Sequence, residues 1–558
     1  MEVNNVKKKL KSLICKIKGR INLFILMVKK DERYYFLKGK KLLRDDSNKA
    51  KDMFKKGLTI HPNNPEINKE MAYLEQKDKN WNAAISYLDK YINKEQKIIP
   101  PQIYFDLADW CKKIGLLNKM DEVLFNGLQC HPNNRRMFSK YVNVAISKKD
   151  WQTSIKRLES YNYKYKDSSP YKARIKLSML YKIIGDHGKF TNQFNLTLNE
   201  FGEKVTNDKL GYSKIIIYDN GESRIEYYKK FTKTNQLVIT FDSINMVWST
   251  QPFAFKLLSR KNVDIIAIRK RKKQTYQQDL SQSDFIAAVK PITKGYDDIV
   301  SYGFSLGAYL TLYFGSLLNS RILSISPRLS IHPIYGRKKV IQKYEFKHNL
   351  SFPKNKVVSP IIVYDPKNKL DNRYVNEHIL KSFPNSILVE VPYGGHGMAP
   401  HLLKIGQLKE FVNEVIDNKG VPKYNSSNRS KSNIYYRLLA STCFKRNKPI
   451  WAYNLVEKSL DLLPTDKLAI KLKIDILKHL GEYEKAISFA KEAVKLVPKN
   501  LDVRIYLIDL SNGIGKTELA KSEISKAIAE FGNKKSLVRR LKNTKKNSGV
   551  KDEKLKPV

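Results

Sequence analysis

A set of positions recurs along this chain at nearly constant spacing, and the recurrence is interrupted in the middle. Ala50, Phe54, Gly57 and Pro62 stand at offsets of 4, 7 and 12, and Ala84, Leu88 and Tyr91 repeat the first three of those positions. Met120, Leu124, Gly127 and Pro132 form a third copy, and Ser154, Leu158 and Tyr161 a fourth. A second series begins at Ala452, Val456, Ser459 and Pro464, continues at Ala486, Ala490, Ala493 and Pro498, and ends at Ala520, Ile524 and Ala527. The leading positions step by 34, 36 and 34 residues in the first series and by 34 and 34 in the second. Offsets of 4 and 7 share one face of a helix, and a small residue there lets a second helix come close. One helix pair cannot bury its apolar face alone, so such pairs stack on their neighbours. Two helical arrays are therefore expected, with something else between them.

The intervening stretch is patterned differently. Short β-branched runs alternate with helical segments: 214–218, 224–228, 237–241, 263–268, 299–302, 322–325, 361–364 and 387–391. The last six are nearly continuous in apolar residues, as strands covered by helices on both faces must be. Strands alternating with helices predict a doubly wound sheet. Within it, Ile299–Gly315 reads IVSYGFSLGAYLTLYFG, a strand, a tight turn and a helix. Gly303 and Gly307 flank Ser305 two residues away on either side, which a strained turn needs if strand and helix are to pass closely. Alone, this G-x-S-x-G pattern is equally a glycine-containing strand-to-helix turn. The acids and the histidine that come after it, in order, give it weight. The run 361–364 leads into Asp365 and Asp371, and 387–391 leads into Pro392-Tyr393-Gly394-Gly395-His396-Gly397.

The offsets and period of the flanking series resemble tetratricopeptide repeats, with Met120, Ser154 and Gly532 departing from the usual residues. The order of the central elements resembles the α/β-hydrolase fold. That family carries a serine, then Asp or Glu, then histidine, after successive strands. The resemblance implies Ser305 as nucleophile and His396 as general base and then general acid. It implies Asp371 as the carboxylate that orients the imidazole, with Asp365 as the alternative acid. Asp371 is preferred because the 25 residues before His396 leave room for a helix and a strand, while Asp365 at the strand end is suited to shaping the loop. The oxyanion would be held by the backbone N–H of Leu306 and by one just after the strand 237–241, from Asp242 or Ser243. No His-Gly-Gly stretch is present to specify that second donor. His401, five residues beyond His396, reads as a solvated loop residue.

The expected layout is thus multidomain, an α/β-hydrolase-like sheet inserted between two all-helical arrays. A basic amphipathic segment covers 1–30, repeats 31–209, the hydrolase-like region 210–418, a linker 419–432, repeats 433–533, and a basic, disordered tail 534–558. The apolar run 21–28 is too short to span a bilayer and lacks the flanks of a signal peptide. Gly515-Lys516-Thr517 imitates the end of a phosphate-binding loop, but Leu510 occupies the position where that loop needs glycine.

Composition bears on partners. The 558 residues carry 104 Lys+Arg against 54 Asp+Glu, a formal net charge of +50. Such a field attracts anionic polymers, phosphorylated substrates or acidic membrane surfaces, yet no nucleic-acid-binding module is recognisable and none is expected as a specific partner. The four cysteines are scattered, which excludes a disulfide framework and a zinc site and suits a cytoplasmic protein, with the inner membrane surface as a peripheral station. Neither metal nor cofactor is expected. The resemblances imply a serine hydrolase or acyltransferase acting on an acyl ester, with a protein or peptide partner on the repeats. A fainter likeness of 303–327 to hydrolase-like proteins of surface-glycan and accessory secretion machinery suggests a glycan or glycoconjugate ester. The alternative is a scaffold with a degenerate hydrolase domain.

Overall fold

The computed structural model describes residues 26–29, 31–94, 98–166, 171–206, 211–350 and 358–547. It divides into two compact units, Met1–Gly202 and Glu203–Val558. The basic segment expected over 1–30 falls outside the described residues apart from 26–29.

The first unit is a run of helical hairpins. Helices α1 (Glu32–Leu42) and α2 (Ser47–Ile60) form one, α3 (Pro65–Lys77) and α4 (Trp81–Lys94) the next, and α5 (Pro101–Lys113) and α6 (Leu117–Cys130) the third. They are followed by α7 (Arg135–Lys148) with α8 (Trp151–Lys164) and by α9 (Tyr171–Ile183) with α10 (His187–Thr206). The recurring positions lie on the second helix of each hairpin, where Ala50, Phe54, Ala84, Leu88, Leu124 and Ser154 have no solvent exposure. A β-carbon on Gly57 would sit 2.7 Å from the Tyr35 β-carbon, which explains a glycine at that crossing. The His-Pro-Asn-Asn turns start the next hairpin: Asn64 Oδ1 accepts from the Ile67 N–H at 2.8 Å and Asn134 Oδ1 from the Met137 N–H at 3.0 Å.

In the second unit eight strands form one sheet. They are β1 (Tyr212–Asp219), β2 (Ser223–Lys230), β3 (Gln236–Phe241), β4 (Asp264–Lys270), β5 (Asp298–Phe304), β6 (Arg321–Ile325), β7 (Ile361–Tyr364) and β8 (Ile387–Glu390), in the spatial order β1-β2-β4-β3-β5-β6-β7-β8. The β1/β2 and β2/β4 pairings are antiparallel, and β3, β4, β5, β6, β7 and β8 run parallel. All seven residues of β4 are buried, and α11 (Gln282–Thr293), between β4 and β5, sets the Phe285 ring 6.4 Å from that of Phe241 on β3. One face is closed by α14 (Met398–Lys404) and α15 (Leu408–Ile416), whose Met398, Leu402, Phe411, Val412 and Ile416 pack on Val238, Val300, Leu323 and Val363. After β3 the chain steps outward to β4 and then returns to the other side of β3 as β5. Connections leaving β3 and β5 therefore diverge, and a crevice opens beyond their carboxyl ends.

The segment expected as a linker, 419–432, is held in place. Asn425 exchanges two hydrogen bonds with the Gln407 side chain, at 2.7 and 3.2 Å, and Ser432 Oγ lies 2.9 Å from His401 Nδ1. A second set of hairpins comes next: α16 (Asn433–Lys445) with α17 (Pro449–Leu462), α18 (Lys467–His479) with α19 (Tyr483–Leu496), and α20 (Leu501–Gly513) with α21 (Thr517–Phe531). Helix α16 abuts the sheet region: Leu438 Cδ1 would be 2.9 Å from a β-carbon on Gly395, and the Tyr435 and Tyr393 rings are 6.0 Å apart. Gly515 is the left-handed turn residue between α20 and α21, with φ +80, and Lys516 pairs with Glu484.

The tail expected to be disordered from 534 is corrected by one further helix, α22 (Lys535–Asn547). Leu537 is fully buried against Ile508, Ile524 and Ala527, and Arg540 makes two bonds to Asp509, at 2.6 and 2.7 Å. Apolar burial of Leu537, with Leu541 packed beside it, outweighs the lysine-rich outer face. Residues 548–558 lie outside the described residues.

Candidate active site

Ser305 sits at the carboxyl end of β5, at the mouth of the crevice. Its backbone is in an unusual region, φ 55 and ψ −113, and it joins β5 directly to α12 (Leu306–Leu310), which continues as a wider π turn over Thr311–Gly315. A non-glycine residue at positive φ stores about 1–3 kcal/mol of strain and persists only where its surroundings hold it. Here β6 holds it: the Ser305 N–H donates to the Ile325 carbonyl at 3.0 Å, and the Arg328 N–H donates to the Ser305 carbonyl at 3.2 Å. The flanking glycines are demanded by close approach. A β-carbon on Gly303 would lie 2.3 Å from the Gly307 carbonyl oxygen, and one on Gly307 would lie 2.4 Å from the Phe241 carbonyl oxygen.

The loop after β8 brings His396 over this turn. Its Nε2 is 2.8 Å from Ser305 Oγ, and its Nδ1 is 3.0 and 3.1 Å from the two carboxylate oxygens of Asp371. Asp371 is buried on α13 (Lys369–Tyr374), a short helix capped by Asn368, whose Oδ1 accepts from the Leu370 and Asp371 N–H groups. This network assigns the proton on Nδ1 to the Asp371 side and leaves Nε2 to accept from the serine hydroxyl.

Asp365 does not touch the imidazole. It accepts three backbone N–H bonds, from Lys367 at 2.8 Å, Tyr393 at 3.0 Å and Gly395 at 2.8 Å, and so ties the end of β7 to the loop carrying His396. Burial pushes its carboxyl above the usual aspartate value, and those three bonds act in the opposite direction.

Asp242 is placed where it cannot serve as expected. Its backbone N–H already donates to the Ile268 carbonyl at 3.0 Å, since β3 remains paired with β4 that far. Its side chain receives Arg269 Nε at 2.8 Å in a fully buried cluster that includes Glu226. Burial first, offset by Arg269, raises the Asp242 carboxyl. The same guanidinium donates to the carbonyls of Val247, Thr250 and Gln251, which fastens the loop after β3. Ser243, the next residue, lines the cleft together with Leu306. Leu306 opens a helix, so its N–H is among those a helix start leaves without an intrahelical partner.

His401 is also corrected. It is buried on α14, bonded to Ser432, and burial lowers it to about 4. It faces away from solvent because Met398 and Leu402 fix that turn of α14 in the core.

The cleft over Ser305 has a volume of about 490 Å³. Arg328 and Arg337 are the side chains on it that sequence reasoning passed over. Arg328 comes three residues after the end of β6, the strand next to β5, and a charged residue so close behind an apolar strand is a signal the sequence carries. Among the described residues no group of three or more His, Cys, Asp or Glu side chains could hold a metal ion, and no helix is long and apolar enough to cross a membrane.

No protein-family model matches this chain, and no curated protein matches it. Solved structures resemble it in part. Naa15/Naa10 bound to HypK aligns over 94% of this chain and 70% of its own, at 12% identity and a TM-score of 0.35. An esterase of Pyrococcus furiosus aligns over 39% of this chain and 92% of its own, at 13% identity and a TM-score of 0.28. Yeast Tom70 aligns over 87% and 96%, at 12% identity and a TM-score of 0.23. Structures with helical repeats and hydrolases are thus both among those this chain is similar to.

Proposed function

We propose that this chain is a serine hydrolase or acyltransferase of the α/β-hydrolase type, acting on an acyl ester. The observation that carries the reading is the unbroken line from Ser305 Oγ through His396 to the buried Asp371, at 2.8, 3.0 and 3.1 Å. In this mechanism His396 Nε2 takes the Ser305 proton as Oγ attacks the ester carbonyl carbon, and Asp371 stabilises the imidazolium that forms. The negative charge gathers on the carbonyl oxygen, for which the Leu306 and Ser243 N–H groups are the candidate donors. Collapse of this intermediate breaks the bond to the alcohol, which leaves with the proton from His396. The acyl group then stays on Ser305 until water, or the hydroxyl of an acceptor, attacks it with His396 again taking the proton. Hydrolysis and transfer differ only in which hydroxyl enters. The helical hairpins on either side in sequence are assigned to a protein or peptide partner, because stacked hairpins present long continuous faces.

Reactivity of Ser305 tests the proposal. The full chain should be labelled by a fluorophosphonate and should turn over p-nitrophenyl acetate, and Ser305→Ala should lose both while keeping its circular dichroism spectrum. Undiminished turnover in Ser305→Ala would assign the chemistry elsewhere.

A further inference from the structure

The cleft beside Ser305 is lined by two arginines and no carboxylate. The Arg328 side chain is only 10% exposed, and its ion pair runs from Nη1 to Asp371 Oδ1, at 3.3 Å. That oxygen already receives His396 Nδ1 at 3.0 Å, so the acid is shared. Among the described residues, Nε and Nη2 of Arg328 have no hydrogen-bond partner. A guanidinium carries five donors in a rigid fork, and those that Asp371 leaves unmet on Arg328 are not sealed from solvent and stay available to a ligand. Arg337 is exposed on the same cleft and, among the described residues, has no carboxylate at ion-pair distance. Burial first lowers the Arg328 guanidinium, Asp371 next acts to raise it, and the like charge of Arg337 then acts to lower it. One cation that shares its carboxylate with His396 and a second with no carboxylate of its own among the described residues stand on one wall next to a nucleophile, an arrangement an anionic ligand relieves. Ser330, Gln274 and Asn245 add polar groups to the same lining.

We propose that the ester attacked at Ser305 carries an anionic group, a carboxylate or a phosphate-type oxyanion, seated between Arg337 and Arg328. This rests on the reading of Ser305 as nucleophile. The planar fork of Arg328 fits either oxyanion through two parallel bonds, and Arg337, at the exposed side, would draw it in.

Matched esters test this with the full-length protein. On the acyl side, mono-4-nitrophenyl adipate is compared with 4-nitrophenyl hexanoate. On the alcohol side, 4-acetoxybenzoate and 4-acetoxyphenyl phosphate are compared with methyl 4-acetoxybenzoate. At least one anionic ester should exceed its neutral counterpart about tenfold in kcat/KM, chiefly through KM, as one charge-assisted bond to a substrate provides. Which pair shows the preference identifies the side and the kind of oxyanion. The preference should shrink as salt is raised. Arg337→Ala, at an exposed position where folding is not at risk, should lower kcat/KM for the favoured anionic ester about tenfold more than for the neutral one. Arg337→Lys should recover part of that difference. Turnover of all the esters with no anionic preference, or a preference that Arg337→Ala leaves intact, overturns the inference and leaves the hydrolase reading standing. Absence of any turnover together with an unlabelled Ser305 removes the hydrolase reading, and this inference with it.

Discussion

Replacing Asp365 by asparagine separates two carboxylates that stand six residues apart and do different things. Asp365 Oδ1 accepts from Lys367 and Tyr393, and Oδ2 accepts from Gly395. In Asp365→Asn the amide oxygen can keep the first two bonds. The NH₂ group then meets the Gly395 N–H donor to donor, so one charge-assisted bond is lost and a buried N–H is left unmet. That combination costs about 2–3 kcal/mol. The cost falls on the loop that carries His396 and not on the proton relay, so kcat should drop by no more than about tenfold to a hundredfold while chemical denaturation shows the loss of stability. In Asp371→Asn the contacts at 3.0 and 3.1 Å to His396 Nδ1 become bonds to an amide, which favours the wrong tautomer. There the rate should fall by about four orders of magnitude. Steady-state hydrolysis of p-nitrophenyl acetate beside urea denaturation of both variants makes the comparison. If Asp365→Asn loses as much rate as Asp371→Asn without losing stability, the assignment of the two roles is wrong.

Other consequences can be measured in the same preparations. Gly307→Ala puts a β-carbon 2.4 Å from the Phe241 carbonyl oxygen, a backbone atom that cannot yield as a side chain would. It should destabilise the chain by about 1–3 kcal/mol and weaken fluorophosphonate labelling of Ser305; wild-type stability and labelling would show that the close packing is not needed. Burial lowers His332, His348 and His401 to about 4 and His378 to about 3, from an ordinary 6.5. They are neutral when folded and gain protons on unfolding, so their stabilisation is complete above about pH 6.5 and is lost progressively as the pH falls through the folded values. The melting temperature should decline from about pH 6.5 towards 4, less steeply in His401→Gln, and a flat profile over that interval would contradict their burial as neutral rings. Leu537→Ala removes the fully buried anchor of α22. It should cost about 2 kcal/mol and open residues 535–547 to proteolysis before the rest of the chain, whereas unchanged protection would mean the helix is held by its charges.

Much of this architecture is set by local patterns, and the parts that are not share a common cause. The runs predict the eight strands to within one or two residues; β3 to β7 are apolar on both faces because both are covered, whereas β8, at the edge of the sheet, leaves Ile387 and Leu388 exposed. The 34-residue spacing picks out side chains such as Ala84, Leu158, Val456 and Ile524, all buried, because helix crossings repeat once per hairpin. Ser305, Asp371 and His396 can be named from their order after successive strands. Their distances cannot, since these depend on how β6 braces the elbow and on how Asp365 ties two loops. Asp242 was open to a different reading because its partner Arg269 is on a neighbouring strand 27 residues away, a pairing decided by strand order. In α22, Leu537 and Leu541 among lysines and arginines look solvated until the preceding hairpin supplies Ile508 and Ile524 to cover them. His401 belongs to the same group, since its environment is made by Ser432 and Tyr424, which are remote in sequence.

The packing of α16 on the loop after β8 limits how freely these modules can be exchanged. Leu438 stands where a side chain on Gly395 would go, and Tyr435 meets Tyr393 edge to ring, a few residues before His396. A chain ending before residue 432 would uncover that loop and would also leave His401 without Ser432. Grafting a foreign helical array onto the sheet would bring the same loss unless its first helix carried matching residues at the positions of Ser432, Tyr435 and Leu438. The first hairpin after the sheet and the histidine loop are thus one packed unit, in which a substitution on either side has to fit the residues on the other.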